Sequence, residues 1–274
     1  MRNTKLPTAA GLLATIAALS IAAPIGALLL RADWVSFPQD VGTGVALDAL
    51  RLSLVTATAA TVVCVVLGVP LALYLASARG ALAKVVRVLV NLPLVMPPLV
   101  AGLALLMLFG RNGIIGGPFL QWTGFSLPFT TPAVVVAQVF VSLPFMVISV
   151  EGVLRTINPD YAQVAASLGA SPRVVFWKVT VPLATPGILA GTMLTFARAL
   201  GEFGATILFA GNRPGVTQTM PLAIYTAFNG GGISGSSAVA LSITLLATAF
   251  AVIFLTRSWT GRRQAFYGAE GAGL

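Results

Sequence analysis

Histidine is absent from the chain, and cysteine occurs once, at Cys64. A disulfide within the chain is therefore impossible, and metal chemistry built on His and Cys is excluded. Charge is scarce too. Only 8% of the 274 residues are Asp, Glu, Lys or Arg, where a soluble domain carries about a quarter, because its helices need a wetted face. No G-x-x-x-x-G-K-[ST] loop is present to cradle nucleotide phosphates. Transport energised by ATP would need that chemistry from a partner, and otherwise an ion gradient would supply the energy.

What the chain does have is hydrocarbon. Hydrophobic residues make up 57% of it, in blocks long enough to cross a bilayer, which predicts an all-α, polytopic membrane protein. With about 20 apolar residues per crossing, about six spans are expected, near 8–30, 50–77, 87–109, 132–153, 187–209 and 236–256. The first follows Arg2 and Lys5 as a signal peptide would. It runs well beyond a usual signal core and ends at LLLRADW without a clear small-x-small site, so a retained span is expected. Cys64 falls within a span as a small residue facing lipid or a neighbouring helix. The 1–274 chain reads as one transmembrane domain, and no matched halves of inverted hydropathy are evident.

The formal charge of +9 is dispersed between the apolar blocks, which disfavours nucleic-acid binding and suits topology instead. Arg2, Lys5, Arg79, Lys84, Arg87, Arg155, Arg173, Lys178, Arg257, Arg262 and Arg263 fall on one side of the spans, and Arg31, Arg51, Arg111 and Arg213 on the other. The positive-inside rule then predicts that both termini face the cytoplasm. The loops 110–131 and 210–235 are expected outside. NLPLVMPPLVAGLALL, with Pro93, Pro97 and Pro98, should bend and line an interior, because its freed carbonyls need protein or water partners.

One stretch, 158–188, is punctuated, basic and aromatic. Asn158 can cap a helix starting at Pro159, and Gly169 can end that helix in a left-handed conformation. Tyr161, Val164, Ala165 and Leu168 fall on one apolar stripe. Ser171 can cap a second helix with Pro172 at its first position, Val175, Phe176 and Val179 on one face, and a stop at Pro182. Two short helices joined at Gly169-Ala170-Ser171 are expected. They could lie on headgroups with Trp177 and Lys178 as anchors, or dock a partner.

Within the fifth span, Arg198 and Glu202 are four residues apart. At about 2.5–3.5 kcal/mol for each charge at mid-bilayer depth, they should face the protein interior, a wet cavity or each other. They could fix helix rotation or act at a gate. Thr217, Gln218 and Thr219 offer neutral donors near the outer mouth, or are ordinary turn formers. Two other functional classes remain open. A membrane enzyme would rely on Glu202 and Asp160, which sit at different depths, and an ion-coupled carrier would use Arg198 and Glu202 as a proton relay.

The segment YAQVAASLGASPRVVFWKVTVPLATPGI resembles the cytoplasmic "EAA" loop of ABC importer permeases. Gln163, Val164 and Ala165 occupy the EAA positions, followed by Gly169 and Val181-Pro182, and Gln163 removes the usual negative charge. ARALGEFGATILFAGN and PGVTQTMPLAIYTAF resemble the molybdate branch of these permeases, and the sulfate branch shares a GEFGA-like segment. The resemblance implies a type I ABC importer permease fold, with residues 158–186 as a coupling-helix loop. Tyr161, Gln163, Ala165, Gly169, Ala170, Ser171, Pro172 and Phe176 would contact an ATPase, and Arg198, Glu202, Thr217, Gln218 and Thr219 would lie at the gate or pathway. It also implies no catalytic residues in this chain, a second permease copy, two ATPase subunits that bind ATP and Mg, and an external binding protein delivering an oxyanion. By the same resemblance that oxyanion would be molybdate, with tungstate or sulfate/thiosulfate as alternatives.

Overall fold

The computed structural model describes residues 8–158, 160–230 and 235–270, and within them every regular element is helical. In chain order the helices are α1 (Thr8–Leu30), α2 (Phe37–Val41), α3 (Gly44–Ser77), α4 (Ala81–Val95), α5 (Pro98–Phe109), α6 (Gly116–Thr123) and α7 (Thr131–Thr156). They continue as α8 (Asp160–Ser167), α9 (Pro172–Val175), α10 (Val181–Leu200), α11 (Gly204–Phe209), α12 (Met220–Phe228) and α13 (Gly235–Glu270). A single π turn, Phe176–Thr180, links α9 to α10.

Helix α7 is the centre of the bundle, with α3 and α10 packed along it. The reason lies in small residues at helical spacing. Ala46, Ala49, Ser53, Ala57, Ala60, Cys64, Gly68 and Ala72 form the buried stripe of α3, and small side chains let helix backbones approach where lipid offers no hydrophobic drive. A Cβ on Gly68 would sit 2.8 Å from Met146, and one on Gly191 2.9 Å from the Met146 sulfur. Cys64 is fully buried on that stripe, its Sγ 3.8 Å from the Val139 carbonyl, so of its two expected settings it takes the helix-facing one.

Among the described residues, four helices are long and apolar enough to cross a bilayer: Ala9–Leu30, Gly44–Ser77, Thr131–Thr156 and the continuous run Pro172–Leu200. The expected third span is a broken pair, α4 and α5, bent by 119°. Met96 closes α4 through its N–H to Leu92 O, and Pro97-Pro98 starts α5 where a missing N–H is harmless. In the last region the described apolar stretch is Ser236–Val252. The second span begins earlier than expected, because Thr43 caps α3 by accepting the Ala46 N–H at 3.2 Å.

The expected unbroken span over 187–209 is corrected by the structure. Helix α10 stops at Leu200, Gly201-Glu202-Phe203 is not helical, and α11 begins at Gly204. Tertiary contact sets the break. A Cβ on Gly204 would meet Pro98 Cβ at 2.4 Å, and one on Gly102 would meet the Ala205 carbonyl at 2.8 Å, so α5 and α11 cross almost backbone to backbone.

Candidate functional site: an exposed insert joined to a buried break

The insert begins as expected. Asn158 Oδ1 accepts the Asp160 N–H at 3.0 Å, capping α8. The helix ends on Gly169, at φ +84°. Gly169 N–H donates to Ala166 O at 3.0 Å and Ala170 N–H to Ala165 O at 3.1 Å, the paired bonds of a Schellman ending. Tyr161, Val164 and Leu168, on one face of α8, are all more than half exposed. Ala165 is partly covered, and the side chain of Gln163 lies outside the described part. Ala170, Ser171 and Pro172 carry the chain around the corner, largely exposed.

Beyond the corner the structure departs from expectation twice. Ser171 occupies the N-cap position of α9 with no side-chain capping bond, only its carbonyl accepting the Val175 N–H at 3.0 Å. Pro182 does not stop the second helix. The π turn widens the preceding coil, with the Val181 N–H reaching Phe176 O, and sets Pro182 in the first turn of α10, where it has no intrahelical N–H to supply. A continuous helical run of 29 residues results, Pro172–Leu200, about 40 Å long at 1.5 Å per residue. Phe176 stacks edge-on against the exposed Trp177, ring centroids 5.1 Å apart.

At the far end of that run lies the break. Arg198 Nη1 is 2.8 Å from Glu202 Oε2, while Glu202 Oε1 accepts the Ala205 N–H at 2.8 Å and so closes the first turn of α11. Glu202 is 1% exposed and Arg198 about a third. The carboxylate thus joins the two helix pieces, one contact to each. Thr217, Gln218 and Thr219 are buried. Thr217 Oγ1 accepts the Arg213 N–H at 2.9 Å, and the Gln218 amide donates to Asn212 Oδ1 at 2.9 Å. Thr217 and Gln218 knit the 212–219 loop instead of lining an open mouth, while the Thr219 hydroxyl is buried without a hydrogen-bond partner. Thr131 Oγ1 donating to Val216 O, and Ser53 Oγ accepting the Met220 N–H, tie that loop to α7 and α3.

A second ionic cluster escaped the sequence reading. Glu151 Oε1 lies 2.9 Å from Arg87 Nε and 2.8 Å from Arg155 Nη2, and Arg87 Nη2 donates to Leu75 O at 2.8 Å. This clamp ties the C-terminal ends of α3 and α7 to the middle of α4. The Glu151/Arg155 spacing was a signal for half of it; Arg87, sixty-four residues away, was not. An open cavity of about 230 Å³ next to it is lined by Leu73, Ser77, Leu154, Ile157, Tyr161 and Leu183, among others.

A helical membrane bundle whose basic, partly exposed insert continues into an interior break is the architecture of a transport permease. Residues 68–259 match the model of the "Binding-protein-dependent transport system inner membrane component" family. The chain belongs to that family. It is 50% identical over 250 residues, 91% of its length and 93% of the relative's, to the molybdenum transport system permease protein ModB of Mycobacterium tuberculosis. It is 38% identical to the protein of the same name from Haemophilus influenzae, over 80% of this chain and 94% of that one. Among solved structures, a bacterial ABC transporter involved in import of the acidic polysaccharide alginate has a chain with TM-score 0.73 at 17% identity, covering 93% of this chain and 95% of that one. That likeness carries the fold of an ABC transporter permease.

Proposed function

We propose that this chain is the membrane-spanning subunit of an ATP-driven importer that passes molybdate from an external binding protein to the cytoplasm. The observation that carries the reading is the 50% identity, along nine-tenths of both chains, to a molybdenum transport permease. Two permease copies, two ATPase subunits holding ATP and Mg, and the binding protein would complete the machine. The insert supports this arrangement, since Tyr161, Val164 and Leu168 offer an apolar face beside the basic Arg173 and Lys178.

In this reading the insert would be pushed by the closing ATPases. The 29-residue run would carry the displacement to the Gly201–Phe203 break, where Glu202 couples it to α11 and, through the Gly102 and Gly204 crossing, to α5. Glu202 would repel an oxyanion, so its place is in the moving joint, while Arg198, with further N–H groups, is the residue of the pair suited to an anion.

Uptake of radiolabelled molybdate into vesicles holding the permease, its ATPase and its binding protein tests the reading. ATP-dependent uptake that excess tungstate blocks more strongly than excess sulfate is expected. Uptake by the lone chain driven by an ion gradient would overturn it.

A further inference from the structure

Six buried polar atoms without a hydrogen-bond partner belong to neighbouring helices of the bundle: Gln138 Oε1 and Nε2 and Ser142 Oγ on α7, Thr195 Oγ1 on α10, Glu202 Oε2 at the break, and Thr206 Oγ1 on α11. Glu202 Oε2 faces Arg198 as an ion pair but receives no aligned N–H. All five residues are at most 1% exposed. Backbone register brings them together. Gly187 sits against Ser149 and Val153, and Gly191 against Met146 and Ser149. One further turn along this antiparallel pairing sets Thr195 level with Ser142, and the next sets the Ala199–Glu202 end of α10 beside Gln138. Ala205 of α11 shares a buried cluster with Ala137 and Val141, on either side of Gln138.

The chemistry of the set selects its ligand. An amide N–H₂ needs acceptors, an amide oxygen and a carboxylate oxygen need donors, and the three hydroxyls can do either. A cation would suit the oxygens but meet the Gln138 amide hydrogens and sit beside Arg198. An anion would meet Glu202. Water donates and accepts at once, so it suits every atom of the set without adding charge. We propose that the seam between α7 and the α10–α11 break is a water-binding slot, holding about two or three molecules at about three hydrogen bonds each. The helices on either side of the break can then shift by exchanging hydrogen bonds with mobile water instead of breaking fixed pairs. The slot is independent of which substrate is carried.

Two measurements on the assembled importer in membranes test it. If the hydroxyls hold water, Thr195→Val, Ser142→Ala and Thr206→Val each strip a partner from it and lower the melting temperature. If they are dry, the same substitutions relieve a desolvation penalty and leave the melting temperature unchanged or raised. In radiolytic footprinting, hydroxyl radicals formed from bound water should oxidise Leu200, at the break, at least about fivefold faster than the equally buried Leu75 and Leu241. The Ser142→Ala/Thr195→Val pair should cut that ratio. Leu200 oxidised at the rate of Leu75 overturns the slot whatever the melting temperatures do, and unchanged or raised melting temperatures in the hydroxyl variants overturn it as well.

Discussion

The two ends of the bundle are held by different chemistry. At the insert end, Glu151 clamps Arg87 and Arg155, and the neighbouring α8 leaves Tyr161, Val164 and Leu168 exposed. At the opposite end, neutral groups close on one another: Asn212, Gln218 and Thr226 form a part-buried network, Thr217 accepts the Arg213 N–H, and Ser53 and Thr131 bind the loop backbone. An end that satisfies its own polar groups has nothing left to offer a partner through that network. An end that leaves aromatic and aliphatic side chains in the open, with Arg173 and Lys178 exposed near them, has groups to offer a partner. The difference fits the proposed docking at the insert and a self-contained 212–219 loop.

The sharpest way to break this comparison is topological, because the effect is all or none. Lys84 and Lys178, together with Lys5 outside the described residues, should react with an impermeant amine reagent only from the cytoplasmic side. Labelling of Lys178 from outside sealed cells would reverse the two ends.

Next in size is the joint between them. Glu202→Leu alone strands the Arg198 guanidinium, which is about one-third exposed, and should lower assembly stability by about 2–4 kcal/mol after allowance for that exposure. Arg198→Leu/Glu202→Leu should assemble better than either single leucine variant yet transport poorly, since the capping contact to Ala205 is also gone. Yield of purified complex and uptake separate the outcomes. A double variant with full uptake removes the joint from the pathway, and one no better assembled than the singles removes the pairing.

Gly169→Val comes third. The left-handed φ penalises a β-branched residue by about 1–3 kcal/mol, but a Cβ there meets nothing within 4 Å, so the corner distorts without disturbing the bundle. ATP hydrolysis should continue while molybdate uptake falls. Normal ATP-driven uptake would remove the insert from the coupling path.

Glu151→Gln should have a smaller effect, about 1–2 kcal/mol, because Arg155 is half-exposed and Arg87 retains its bond to Leu75 O. Thermal unfolding with added salt would check it, the wild type losing more of its stability than the variant. The smallest effect belongs to the exposed loop after α1. The Ser36 and then the Val35 N–H groups hold the Asp33 carboxyl below its usual range. Its contribution is complete above the ordinary carboxylate range and lost as pH falls through the depressed value. Asp33→Asn should therefore change stability slightly near neutrality and not at all in strong acid, as a melting-temperature profile against pH would show.

Much of this molecule was legible in its residues. Long apolar blocks marked the membrane class because a bilayer crossing needs about 20 such residues wherever they occur. Asn158 and Gly169 marked both ends of α8, since a cap and a left-handed ending are decided within a few residues. The Arg198 and Glu202 spacing marked an ion pair that the structure contains. Tertiary structure decided the rest. No proline or charge run announces the break at Gly201–Phe203; it exists because Gly204 must lie against Pro98, more than a hundred residues earlier in the chain. Pro182 reads locally as a stop, yet a π turn and packing against α7 carry the helix through it. Arg87 joins Glu151, and Ala137 and Val141 of α7 pack against Ala205 just beyond the break, only because separate helices pack in one register. Hydropathy, caps and turns are properties of short segments. Where a helix breaks, which charges meet and which polar groups are buried depend on contacts between segments far apart in the chain, and only the fold brings those together.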